Sequence, residues 1–121
     1  MAGRSESAFD LARRALNLAE ERQERGLRAH VQYLLGDIAA SAGDSSLQAA
    51  ETAYREALVL AEPLAMRPLV AQCHRGLAGL SGRARRLDEA REQLAEAIAM
   101  FREMDMRSSL ARAEADLKRL G

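Results

Sequence analysis

The chain repeats itself with a period near 40 residues, and that period constrains its fold more than any other feature. Sliding the sequence by 42 pairs Ala8 with Ala50, Ala15 with Ala57, Leu16 with Leu58, Leu18 with Leu60 and Ala19 with Ala61. The same offset pairs Glu20 with Glu62, Leu27 with Leu69, Ala29 with Ala71 and Leu35 with Leu77. A shuffled chain of this composition gives roughly three matches in such a window. An offset of 40 continues the series with Ala50 and Ala90, Glu56 and Glu96, Ala57 and Ala97, Met66 and Met106, and Arg67 and Arg107. Ala71 then matches Ala111, Leu77 matches Leu117, and Leu80 matches Leu120. Forty residues hold two helices and their turns.

The residue types agree with helices throughout. Of 121 residues, 25 are Ala and 18 are Leu, both helix formers, and no stretch alternates with the period of a strand. The spacing predicts a first helix over 7–25, stopped by Gly26, and a second over 27–42, ended by Gly43-Asp44-Ser45-Ser46. A third is expected over 47–64, with Pro63 kinking its last turn. Pro68 fits the first turn of a fourth helix over about 67–82, where its missing N–H removes no bond. A fifth opens near Asp88 and runs to about Met104, and a sixth covers about 107–120. The expectation is one domain over 1–121 with residues 1–6 disordered, built as six helices in three related pairs.

At this point the residues carry a family pattern. Leu35-Gly36, Gly43-Asp44, Tyr54 and Ala57-Leu58 resemble one tetratricopeptide repeat, with two extra residues in the turn between its helices A and B. Leu77-Ala78, Ala90, Leu94 and Ala97-Ile98 resemble a second repeat without insertion. Residues 8–25 are similar to a helix B lacking its helix A, and 107–120 to a helix A lacking its helix B. The early Trp of the family is absent, and its closing Pro stands only as the shifted Pro63. The stretch from Tyr54 to His74, with Ala99 to Arg107, resembles the C-terminal repeats of large bacterial ATPase and nucleotide-cyclase regulators. That resemblance implies an all-α solenoid of about six antiparallel helices in a right-handed superhelix. It also implies a regulatory segment of a larger bacterial signalling protein that scaffolds or binds other proteins.

Charge and chemistry exclude most other functions. Basic and acidic residues number 18 each, so no global field recruits nucleic acid or anionic membrane. No uncharged run is long enough to cross a bilayer, and Met1 to Ser7 holds no apolar signal region, so the chain is expected in the cytoplasm. Gly76, Gly79 and Gly82 recur every three residues on one helical face with no strand before them. They read as packing positions and not as a phosphate loop. Arg83, Arg85 and Arg86 form a basic turn followed by Asp88, Glu89, Glu92 and Glu96. Solvated pairing with the next helix explains it better than nucleic acid, since no aromatic is close enough to stack bases. Cys73 beside two scattered histidines makes no metal set, and Met66, Met100, Met104 and Met106 read as gap-fillers in an aromatic-poor core. No nucleophile and base are assembled, so no catalysis and no cofactor are expected.

What remains is a binding surface. Transferring the family's inward-facing positions gives His30, Tyr33 and Asp37, then Gln72, Arg75 and Gly79, then Arg112 and Arg119. Three arginines against one aspartate fit a protein or peptide partner with an acidic segment or a chain-terminal carboxylate. Two other readings stand beside this one. The unpaired terminal helices, with Phe9, Leu11 and Leu16 at one end and Leu110, Leu117 and Leu120 at the other, would serve self-association into a homo-oligomer. A histidine phosphotransfer bundle using His30 or His74 is the reading from another class.

Overall fold

The fold, taken from a computed structural model, describes the backbone of residues 2–120 and the side chains of residues 10–120. The disorder expected of residues 1–6 and the packing of Phe9 fall outside the fully described residues. The described residues are all-helical, with five helices and no strand. They are α1 (Ala2–Ser41), α2 (Leu47–Ala61), α3 (Arg67–Arg83), α4 (Leu87–Glu103) and α5 (Arg107–Arg119). A 3-10 turn over Asp44–Ser46 joins α1 to α2.

The last three turns are one device used three times at intervals of twenty residues. Ala65, Arg85 and Asp105 each adopt a left-handed backbone, with φ of 55°, 65° and 54°. The N–H of the following residue reaches back five positions in each case. Met66 donates to Ala61 O at 3.1 Å, Arg86 to Ser81 O at 2.8 Å, and Met106 to Phe101 O at 2.9 Å. This is the Schellman closure, which satisfies the last carbonyls of one helix and turns the chain back along it. Glycine is its usual left-handed residue; here Ala, Arg and Asp carry the strain instead, at a cost of about 1 kcal/mol each.

One expected break is missing. Gly26 does not stop a helix: α1 runs unbroken through it, so the expected first two of six helices are one. The position 42 residues before Pro63 is Glu21, and the one before left-handed Ala65 is Gln23. Both are good helix formers, and an interior glycine costs only about 1 kcal/mol. A Cβ at Gly26 would meet the Met66 sulfur at 3.6 Å, an ordinary contact, so packing does not require a glycine there either. Pro63 likewise kinks nothing, because α2 ends at Ala61 and the proline sits in the turn beyond it.

Packing runs between sequence neighbours. One apolar cluster joins the second half of α1 to α2 and α3 through Ala29, Ala50, Tyr54, Ala57, Leu69, Cys73 and Leu77. A second joins α3, α4 and α5 through Ala71, Ala78, Leu94, Ala97, Phe101 and Ala113. Met100 packs against both clusters. Fully buried alanines at 29, 50, 57, 61, 71, 90, 97 and 113 leave little side chain between facing backbones, so the helices approach closely. Cys73, sealed in the first cluster, has its thiol pushed up to about 12 by burial, with Asp37 and Glu62 adding to the shift. Residues 10–25 of α1 take no part in either cluster and are exposed throughout. At the other end Leu110 and Leu120 are half-buried against the second cluster, so the last helix is better covered than the first.

Candidate interaction groove

The groove is built around one tyrosine. Tyr54 stands on the buried face of α2, and its ring passes between Gly36 on α1 and Gly76 on α3. A Cβ at either glycine would lie 2.6 Å from the ring, so both positions must stay without side chains for the ring to fit. The hydroxyl donates to Asp37 Oδ1 at 2.5 Å, and the ring meets that of Tyr33 with centroids 5.8 Å apart. Burial, and then the Asp37 charge, pushes the Tyr33 hydroxyl up to about 12. Burial first and the Asp37 hydrogen bond second raise Tyr54 as well. Both phenols therefore stay neutral donors, and Asp37 accepts from Tyr54, with no ion-pair partner among the described residues.

Above this floor lies a groove of about 310 Å³ between the second half of α1, α3 and α5. Of the eight residues expected from the sequence, Tyr33, Asp37, Gln72, Arg75 and Arg112 meet there. Gly79 lines it too. His30 is exposed on α1 outside it. Arg119 lines an adjoining hollow that shares Gly79, Arg83 and Asp116 with the groove. Two charged residues join that the transferred positions omitted. Asp116 accepts from Arg75 Nε at 2.7 Å, and Arg83 reaches Ala40 O at 2.7 Å and Asp44 at 3.0 Å. The lining is then three arginines against two aspartates, less positive than the sequence implied. Arg75 is already engaged, whereas Arg112 has no ion-pair partner among the described residues.

Periodicity alone could have found Asp116, which follows Arg112 by one helical turn on α5. Arg83 carried no such signal, because its partners lie about forty residues away, Ala40 in the last turn of α1 and Asp44 just beyond it. The basic turn separates its members. Arg86 pairs with Glu89 at 3.4 Å and Glu51 at 3.8 Å, in a separate hollow with Asp44 and Gln48. Of the three spaced glycines, a Cβ added at Gly76 would meet the Tyr54 ring, one at Gly82 would lie 3.4 Å from Leu120, and one at Gly79 would meet nothing within 4 Å. His74 is half-buried with Nδ1 2.6 Å from Gln93 Oε1 and Nε2 3.8 Å from Glu96. No group of three metal-ligating side chains occurs among the described residues, and no described helix is long and apolar enough to cross a membrane. Set against family models, curated proteins and solved structures, the chain matches none of them.

Proposed function

We propose that the chain is a non-catalytic protein-interaction module of tetratricopeptide type, a right-handed helical array whose groove takes an acidic peptide segment or a chain-terminal carboxylate. The observation that carries this reading is the groove itself, where Arg75, Arg83 and Arg112 surround a half-open cleft floored by two tyrosines. Arg112 takes the leading role, because its guanidinium is the one without an ion-pair partner and a fork of this kind grips a carboxylate in two parallel bonds. Arg75, held by Asp116, positions the rim and shares its remaining donors. Tyr33, half-buried, supplies flat apolar contact, and buried Tyr54 supports it from below. As a segment of a cytoplasmic bacterial signalling protein, such a module would gather partners while the chemistry occurs elsewhere in the assembly.

The test is a titration with a labelled peptide of Asp and Glu residues bearing a free C-terminal carboxylate, set against its amidated form and a lysine peptide. A charge-assisted bond contributes about 1.5–3 kcal/mol, so Arg112→Ala should weaken acidic-peptide binding roughly tenfold or more. Arg86→Ala, outside the groove, should leave it unchanged. A loss at Arg86→Ala alone, with Arg112→Ala binding like the wild type, would move the site to the turns and discard this reading.

A further inference from the structure

We propose that the exposed apolar face of α1 is covered by a second copy of this chain, the two copies exchanging the N-terminal halves of their α1 helices. The face consists of Leu27, Val31, Leu35 and Ile38, with Leu34 beside them. Forty-two residues later the same positions hold Leu69, Cys73, Leu77 and Leu80 on α3. On α3 these four are 3%, 0%, 2% and 5% exposed; on α1 they are 65%, 46%, 48% and 66% exposed. What covers the α3 set is α2. The segment that repeats α2 is the exposed half of α1, where Ala15, Leu16, Leu18 and Ala19 match Ala57, Leu58, Leu60 and Ala61.

The fit between the two halves is written into a size exchange. In the α2–α3 contact the large Tyr54 lies against Gly76. Forty-two residues earlier the pair is Ala12 and Leu34, with the bulk moved from one helix to the other. A helix bearing Ala12 has the space that Leu34 requires, and one bearing tyrosine there would not.

The segment from the same copy is not in position to do this. With Glu21 where α2 has Pro63 beyond its end, and Gln23 where the chain has left-handed Ala65, α1 stays unbroken and carries its first half away from its own face. A second copy supplies that half with α1 unbroken. The register in which Tyr54 meets Gly76 becomes, in α1, an antiparallel crossing centred on Gln23. That crossing sets Glu21 opposite Arg25 and Arg22 opposite Glu24 of the second copy, and the two-fold axis repeats both pairs. Burying the exposed aliphatics of two such helices removes on the order of 1,000 Å² from water, near the lower bound for a specific interface.

The experiment uses the full chain in two variants, Ala12→Cys and Leu34→Cys, with Cys73 buried and out of reach. Under mild oxidation the mixture should yield a disulfide-linked dimer that neither variant forms alone. A doubly substituted chain that closes the bond within itself in dilute solution would show the arm folding back on its own copy, and would overturn the proposal. So would a mixture that forms no such dimer while light scattering gives the mass of one chain at every concentration. Two further variants keep the test sound if the cysteines disturb folding. Leu34→Glu should weaken self-association roughly tenfold or more with helical content unchanged. Glu21→Pro with Gln23→Gly, which imports the turn after α2, should convert the dimer to a monomer; a variant that stays dimeric contradicts the exchange.

Discussion

The α2–α3 pair and the single helix α1 carry the same apolar pattern 42 residues apart and bury it to opposite degrees. Their core-facing residues differ chiefly by one exchange of size, Ala12 and Leu34 standing where α2 and α3 have Tyr54 and Gly76. Their turns differ too: Pro63 and left-handed Ala65 reverse the chain after α2, and Glu21 and Gln23 let α1 continue. Apolar spacing determines which surface needs cover, and turn chemistry determines whether the chain folds back to supply it.

The largest expected effect comes from truncating matched leucines. Leu77→Ala removes a buried side chain from the first cluster and should cost about 2–5 kcal/mol in thermal or denaturant unfolding. Leu35→Ala, its counterpart on α1, should fall within about 0.5 kcal/mol of the wild type in dilute solution. Comparable losses at both would erase the difference between the two regions.

Filling is the next way to separate them. Gly76→Ala and Gly36→Ala place a Cβ against the Tyr54 ring, and overpacking of this kind costs about 1–3 kcal/mol. Gly79→Ala on the same face of α3 meets nothing and should stabilise by about 0.5–1 kcal/mol. In the same way Ala57→Leu should lower the melting midpoint clearly, while Ala15→Leu, one repeat earlier and exposed, should leave it unchanged in dilute solution.

Alkaline titration probes the packed region alone. Tyr33 and Cys73 both have folded values raised to about 12, from ordinary values of 10.0 and 9.0. Each is bound more tightly to its proton in the folded chain, so its contribution is complete below pH 9 and is lost as the pH climbs toward 12. Stability measured by chemical denaturation should therefore fall over that window, and Tyr33→Phe with Cys73→Ala should flatten the slope. A slope unchanged by both substitutions would mean that neither group is desolvated as the packing implies.

The smallest effects belong to the turns. Ala65→Gly or Arg85→Gly relieves a left-handed backbone and should stabilise by about 0.5–1 kcal/mol. Gln23→Gly, the equivalent position inside unbroken α1, should lower its helicity by circular dichroism at a cost of about 1 kcal/mol.

These contrasts explain what the sequence made legible. The bounds of α3, α4 and α5 fall within a residue or two of expectation, because Pro68 and the polar turns punctuate the chain where the hydrophobic period resets. Gly26 misled, since a lone glycine flanked by Glu24, Arg25 and Arg28 is a weak stop without a left-handed position to close the turn. In the groove, Tyr33, Asp37, Gln72, Arg75 and Arg112 stand at positions carried over from the repeat family that the sequence resembles. The Arg75–Asp116 pair spans 41 residues, and the Tyr54 slot depends on two glycines from different helices. Both arise from tertiary packing that no local pattern encodes.

Hydrogen exchange followed across the chain at several protein concentrations tests the comparison most directly. Amides of α2, α3 and α4 should exchange slowly at every concentration. Those of residues 10–25 should exchange fast in dilute solution and slow down as the concentration rises and second copies cover them. Protection of residues 10–25 equal to that of α2, and independent of concentration, would mean the chain covers its own first helix and would contradict the account.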